Sequence, residues 1–160
     1  MDRDEHLYED DFYAWTQVQA SKLRQAADAR VNLDLDFANL AEEVEDLGKS
    51  ERDAVQSALM RVVEHLLKLE HSPAGEPRRG WRASVTEHRT RAARKLKQNP
   101  SFKGQLADLF AEAWEDGRTL AVEGLAEDGI PPEDIPQECP YSFDQIRDQG
   151  WYPANRHGLP

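Results

Sequence analysis

Apolar residues recur every three or four positions along most of this chain, the spacing that forms one buried face of an α-helix. The clearest run alternates spacings of four and three, at Val55, Leu59, Val62, Leu66 and Leu69. Shorter stripes of the same kind lie within residues 9–28, 81–96 and 102–120. Stripes of this width are typical of helices that pack in a bundle. The pattern predicts an all-α fold.

Capping and turn residues divide the pattern into five main helices. The first covers residues 9–28, and Asp36 is predicted to cap a second helix that Gly48 ends in a left-handed conformation. Ser50, with Asp53 three residues later, predicts the start of a third helix. Residues 72–80 contain two prolines and two glycines and are predicted to be a loop. A basic helix follows and ends before Asn99-Pro100, and the fifth helix runs over about residues 100–126.

The C-terminal region is rich in proline, yet it contains many large apolar residues. They are Ile130, Ile135, Tyr141, Phe143, Ile146, Trp151 and Tyr152. Because a disordered tail would lack such residues, we expect this one to fold back onto the bundle. Ser142 and Gln145 form a capping box, which predicts a short helix at 142–148. We expect a single domain over residues 1–160, with the bundle at 8–128 and the tail at 129–153.

Composition and charge indicate the cellular compartment and exclude some classes of partner. No apolar run approaches the roughly 18 residues of a membrane span, and the first residues lack the apolar stretch of a signal peptide, so we expect a cytoplasmic protein. The net charge of -11 argues against binding of nucleic acid or of an anionic membrane by bulk electrostatics. The single cysteine, Cys139, excludes an intrachain disulfide and a metal cluster held by several cysteines.

Positive charge is concentrated in residues 78–97, which hold eight Arg or Lys residues and one acidic residue, Glu87. One hypothesis is nucleic-acid binding through Arg82, Arg89, Arg91 and Arg94. The interpretation that we favour is internal pairing with the acidic second and fifth helices, since the rest of the chain has a large acidic excess. Such surface pairs fix helix neighbours more than they add stability.

The stretch F-A-N-L-A-E-E-V-E-D-L-G, residues 37–48, contains four carboxylates. A helical wheel at about 100° per residue turns Phe37, Leu40, Ala41, Val44 and Leu47 towards the core and leaves Glu42, Glu45 and Asp46 in solvent. Glu43 lies on the flank of this stripe. We expect it to pair with an arginine of the basic helix.

Four residues on or beside apolar stripes suggest an alternative function, a metal-dependent enzyme or a metal sensor. Glu43, His65, His88 and Asp116 could converge inside a bundle, and two imidazoles with two carboxylates suit zinc or a non-haem metal. The wheel turns Glu64, next to His65, towards solvent. No H-E-x-x-H motif and no pair of E-x-x-H motifs supports the metal site, so ordinary packing is the favoured interpretation for each residue.

The order of several segments resembles a bacterial family catalogued as domain of unknown function number twenty-nine. The matching segments are E-D-D-F-Y-A-W-T, N-L-A-E-E-V-E-D-L-G-K-S-E-R, H-L-L-K-L at 65–69, W-R at 81–82, H-R at 88–89 and C-P-Y-S-F-D-Q-I. The similarity covers about residues 8–152. It implies an all-helical bacterial domain with no settled activity and transfers no catalytic residue.

The sequence favours a binding or scaffolding module that acts through protein contacts. No nucleophile motif and no phosphate-binding glycine loop is present, which argues against an enzyme without settling the question. We expect a protein partner or a homo-oligomer, no membrane, no nucleic acid, and no cofactor unless the alternative metal site exists.

Overall fold

A computed structural model describes residues 5–160; residues 1–4 lie outside it. The described chain is helical, with no β-strand in residues 5–160, so the predicted all-α fold is confirmed. Its α-helices are α1 (Leu7–Asp10), α2 (Phe12–Asp28), α3 (Phe37–His71), α4 (Arg78–Gln98), α5 (Leu106–Glu127) and α6 (Phe143–Arg147), with 3-10 helices at Pro100–Gln105 and Pro132–Asp134. None of these helices combines the length and the apolar character needed to cross a lipid bilayer.

The described chain divides into two compact units. The first contains residues up to Ala54 together with Lys95–Gln105, and the second contains Val55–Arg94 and Leu106–Pro160. The expectation of a single domain over residues 1–160, four of which lie outside the described chain, stays a prediction.

In the first unit, Asp11 interrupts the helix that the sequence predicted at 9–28. Its carboxylate accepts hydrogen bonds from the backbone N–H of Ala14, at 3.0 Å, and of Ser101, at 2.6 Å. Asn99 of the same unit accepts the backbone N–H of Tyr13 at 2.8 Å. Asp11 is therefore the N-cap of α2 and also ties that helix to the 3-10 segment at Pro100–Gln105.

The predicted second and third helices are one continuous helix, α3, so the predicted boundary at Gly48 and Ser50 is wrong. Gly48 is buried within this helix because α2 approaches it closely: a β-carbon at Gly48 would overlap with Thr16 Oγ1. The glycine therefore serves helix contact and not helix termination. The cap at the start of α3 is confirmed, since Asp36 Oδ1 accepts the N–H of Asn39 at 3.2 Å.

In the first half of α3, the side of the helix that is buried also differs from the prediction. Ala41 and Gly48 are buried, whereas Leu40 and Leu47 are 40% and 50% exposed. Gly48 faces α2, where the two helices approach too closely for a side chain. The predicted inward position of Leu40 and Leu47 is therefore wrong.

Replacing Gly48 by alanine is expected to lower the free energy of unfolding by about 2 kcal/mol, because the added methyl group overlaps with Thr16. In a Thr16→Ala background the same change should be neutral or stabilising by up to about 1 kcal/mol, since alanine favours a helix. Urea denaturation of the four proteins in this double-mutant cycle measures the difference. Equal costs in both backgrounds would show that Thr16 does not explain the glycine.

The second unit contains the larger apolar core. Its fully buried side chains come from the second half of α3, from α4, from α5 and from the tail, for example Leu66, Val85, Leu109 and Ile135. Gly117 on α5 faces Met60 and Val63 on α3, where a β-carbon would lie 2.7 Å from the Met60 carbonyl oxygen. Glycine therefore allows α5 to pack closely against α3.

The tail packs within the second unit, as the sequence predicted. Ile135, Tyr141 and Ile146 are buried, and α6 begins with the predicted capping box between Ser142 and Gln145. Trp114 Nε1 donates to the carbonyl oxygen of Gln137 at 3.1 Å.

A second contact from α5 reaches the same tail. Arg118 donates to the carbonyl oxygens of Pro136, at 2.7 Å, and Ile135, at 3.1 Å. Main-chain oxygens of the tail thus accept hydrogen bonds from two side chains of α5, Trp114 and Arg118.

Candidate protein-docking surface

Large apolar side chains that stay exposed are concentrated in the first unit. Among residues 5–160 they are Tyr8, Val31, Leu33, Leu35, Leu40 and Leu47. Isolated exposed leucines are ordinary in proteins, but a concentration within 40 residues is informative. We name the five aliphatic residues of this set, Val31 to Leu47, the apolar flank.

The residues of the apolar flank lie on two segments, the one that precedes α3 and the first half of α3 itself. In the segment before α3, the N–H of Leu33 donates to the Val31 carbonyl oxygen at 2.9 Å, and that of Leu35 to the Leu33 oxygen at 2.8 Å. These bonds across three residues form consecutive γ-type turns, which place apolar and polar side chains in alternation. On α3, Leu40 and Leu47 lie two turns apart, about 10 Å along the axis.

The apolar flank is surrounded by negative charge. Residues 28–47 contain seven acidic residues and one basic residue, Arg30. Of the acids, Glu45 pairs with Arg24 of α2 at 2.8 Å, and the Arg24 guanidinium lowers the pKa of that carboxyl group. Glu43 is exposed and forms no hydrogen bond or ion pair with another described residue of the first unit. The predicted pairing of Glu43 with an arginine of the basic helix, which belongs to the second unit, stays a prediction.

A cleft of about 320 Å³ lies in the same unit. The residues lining it include Tyr8, Phe12, Glu51 and Lys95, and Lys95 pairs with Glu51 at 2.8 Å. Glu51 is one helical turn beyond Leu47, so the cleft begins where the apolar flank ends on α3. Tyr8 packs edge-on against Trp15, with ring centroids 4.8 Å apart.

The residues of the alternative metal site are distributed over the chain. Glu43 belongs to the first unit and the other three to the second. Asp116 is exposed and accepts a hydrogen bond from Gln56 at 2.6 Å, while His88 Nδ1 lies 2.8 Å from the Ser84 carbonyl oxygen. Across residues 5–160, no three His, Cys, Asp or Glu side chains form a group that could hold a metal ion. The metal hypothesis stays a prediction, which elemental analysis of untagged protein would decide.

The pKa values of two neighbouring residues on α3, Glu64 and His65, are shifted by their surroundings. Burial lowers the pKa of His65, whose Nδ1 is buried and has no hydrogen-bond partner in the described chain. Glu64 is 5% exposed, so the prediction that it faces solvent is wrong. Burial alone would raise the pKa of Glu64, but hydrogen bonds from Lys68, at 2.8 Å, and Arg61, at 2.7 Å, outweigh it and the pKa is lowered. This carboxylate is held charged by two cations of its own helix.

The four arginines of the nucleic-acid hypothesis have different environments. Arg89 is 2% exposed and donates to the carbonyl oxygens of Ile146, at 2.7 Å, and Gln145, at 3.0 Å. Arg82 lies over the Tyr152 ring at 4.5 Å. Arg91 pairs with Glu87 of its own helix, and Arg94 is exposed. The predicted pairing with the acidic helices is wrong for Arg82, Arg89 and Arg91, and Arg89 is not available to a phosphate.

A smaller cavity of about 210 Å³ lies beside Arg89. Its charged lining residues are two arginines and two aspartates, Arg89, Arg147, Asp144 and Asp148. Arg89 Nη1 is buried without an oxygen partner, but the guanidinium carbon is 5.2 Å from the centre of the Tyr152 ring, a cation–π contact. Burial lowers the pKa of Arg89. Arg89 acts here as a tether for the last turn of α6.

Residues 7–152 match the model of the family described as Domain of unknown function DUF29. The chain belongs to this family. A crystal structure of an alpha-helical protein of unknown function from Rhodospirillum rubrum is similar to the DUF29 chain, with 26% sequence identity, a TM-score of 0.71 and coverage of 90% of each chain. No curated protein matches the DUF29 chain.

Sequence reasoning missed the α3 part of the apolar flank of this DUF29 chain, because Leu40 and Leu47 also fit a core stripe. Phe37, Leu40, Val44 and Leu47 follow the spacing of a buried helix face. The available signal was the small pair Ala41 and Gly48, seven residues apart, which predicts close helix contact on a different side of α3.

Proposed function

We propose that this DUF29 chain is a cytoplasmic bacterial module that binds another protein through the apolar flank. The observation that carries the proposal is that every large hydrophobic residue with a highly exposed side chain in residues 5–160 lies between Tyr8 and Leu47. Apolar surface of this kind gains about 25 cal/mol per Å² when a partner covers it. The relative from Rhodospirillum rubrum, a bacterium, supports the bacterial setting.

If the apolar flank serves docking, substitutions there should weaken binding and leave the free energy of unfolding unchanged. If it served folding, they would lower the free energy of unfolding. Because Leu40 and Leu47 are exposed, changing either to glutamine is expected to alter the free energy of unfolding by less than about 0.5 kcal/mol. A buried leucine such as Leu66, replaced by alanine, should cost about 2 to 5 kcal/mol. The surface is therefore open to mutation without loss of the fold.

Photocrosslinking in cells tests the proposal. A photoreactive amino acid at position 40 or 47 is expected to form an adduct with one and the same protein, identified from its crosslinked peptide. The control is the same amino acid at Thr119, which is exposed on α5. Absence of adducts at positions 40 and 47, or identical adducts at position 119, would contradict a docking role.

A further inference from the structure

We propose that the partner offers the apolar flank a cationic amphipathic helix, with leucine-like residues on one face and Lys or Arg beside them. This inference rests on the proposed function and names the chemistry of its partner. It follows from two properties of the surface: the spacing of its apolar residues and the sign of the charge around them.

The spacing favours a helical partner. Phe37 and Val44 are half-buried beside Leu40 and Leu47, and these four residues alternate steps of three and four along α3. Two successive heptads of this type form the seam of a helix pair, in which side chains of one helix fit between those of the other. The exposed edge of this seam is the side on which Leu40 and Leu47 lie.

The charge favours a cationic partner. Seven acids and one base occupy residues 28–47, and Glu43 is exposed without an ion partner among the described residues of the first unit. On the helical wheel Asp36 and Glu43 lie just outside the line of Leu40 and Leu47, where rim charges of a bound helix would come close. Lys or Arg at those positions would pair with the carboxylates and speed association.

The same charge argues against a second copy of this chain. Antiparallel pairing of two α3 stripes, centred between Glu43 and Val44, would bring Leu40 of one copy against Leu47 of the other, but it would also bring the two Glu43 carboxylates close together. Each copy carries a net charge of -11. Like charges placed opposite each other oppose binding, so a basic partner is the better fit.

Three synthetic peptides test the inference by fluorescence anisotropy with the full chain. The first has leucine at the two core positions of each heptad and lysine elsewhere. The second is a scramble of the first without an apolar face, and the third has glutamate in place of lysine. We expect only the first to bind well, and more weakly at high salt.

Variants of the chain identify the surface. Leu40→Gln and Leu47→Gln are each expected to weaken binding of the first peptide about tenfold, because each removes a buried apolar contact. Glu43→Gln should weaken it about twofold to threefold. The matched control is Glu133→Gln, which removes an exposed carboxylate from the other unit and should change nothing.

Every other outcome rejects the cationic helix as the partner, and each has a different consequence for the proposed function. Equal binding of the scramble would mean that bulk charge alone attracts the peptide. Equal binding of the glutamate peptide, sensitive to Leu40→Gln, would retain the docking surface and reject the cationic partner. If no peptide binds and sedimentation shows association of the chain that Leu40→Gln abolishes, the occupant is a second copy. If no peptide binds and the chain stays monomeric, the proposed function loses its support as well.

Discussion

Replacing Gly117 by alanine is expected to lower the free energy of unfolding by about 3 kcal/mol, which corresponds to a fall in Tm of roughly 6 to 12 °C. A β-carbon there would lie 2.7 Å from the Met60 carbonyl oxygen and 2.8 Å from Val63 Cβ. Both atoms belong to the backbone or are attached to it, so neither can rotate away. Relief requires α5 to separate from α3, which exposes apolar side chains. Thermal and urea denaturation measure the loss.

Two other glycines of the same unit provide matched controls. At Gly124 the new β-carbon would meet the end of the Lys68 side chain, whose long stem can change rotamer while its ammonium group stays within reach of Glu64, so Gly124→Ala should cost less than about 1 kcal/mol. Near Gly80 on α4 nothing lies within 4 Å, so Gly80→Ala should be neutral or stabilising by up to about 1 kcal/mol. Equal effects at the three positions would contradict the assignment of Gly117 to helix contact.

Replacing Arg89 by methionine is expected to lower the free energy of unfolding by about 2 to 3 kcal/mol. The change removes the Arg89 donors from the buried carbonyl oxygen of Ile146 and the partly buried one of Gln145, while removal of a buried charge offsets part of the cost. The tail should loosen first, because these two oxygens belong to the last turn of α6. Limited proteolysis of the tail and urea denaturation together report the local and the global effect.

Arg91→Met is the matched control for Arg89→Met. Arg91 is exposed on the same helix and pairs with Glu87, which is also exposed, so its loss should cost less than about 0.5 kcal/mol. A tail that stays resistant to protease in Arg89→Met would show that water or other donors replace the guanidinium.

Local signals in the sequence predicted local structure well. The cap at Asp36 and the capping box at Ser142 depend on residues within three positions, and both are present. The apolar content of the tail was sufficient to predict its packing, which Ile135 and Ile146 confirm. Such features need no knowledge of distant neighbours.

The errors share a physical origin in contacts between residues far apart in the chain. Gly48 fits a helix end as well as a helix contact, and the proximity of Thr16, 32 positions earlier, decides between them. Glu64 lies on the polar side of its wheel, yet only 5% of it is exposed, which the wheel of a single helix cannot show. The partners of Arg89 are main-chain oxygens more than 50 residues away, and a carbonyl group has no signature in a sequence.

The main-chain contacts of Arg89 and Arg118 have a consequence for sequence divergence. Both guanidiniums bind carbonyl oxygens of the tail, and every residue type supplies the same oxygen. Substitutions of the Pro136 or Gln145 side chain therefore keep both carbonyl acceptors, as long as the backbone conformation is unchanged. The side chains of the tail can therefore vary among relatives while the two arginines keep the same hydrogen bonds. An arginine at either position of α4 or α5 is a better indicator of a tail packed in this way than the tail residues themselves.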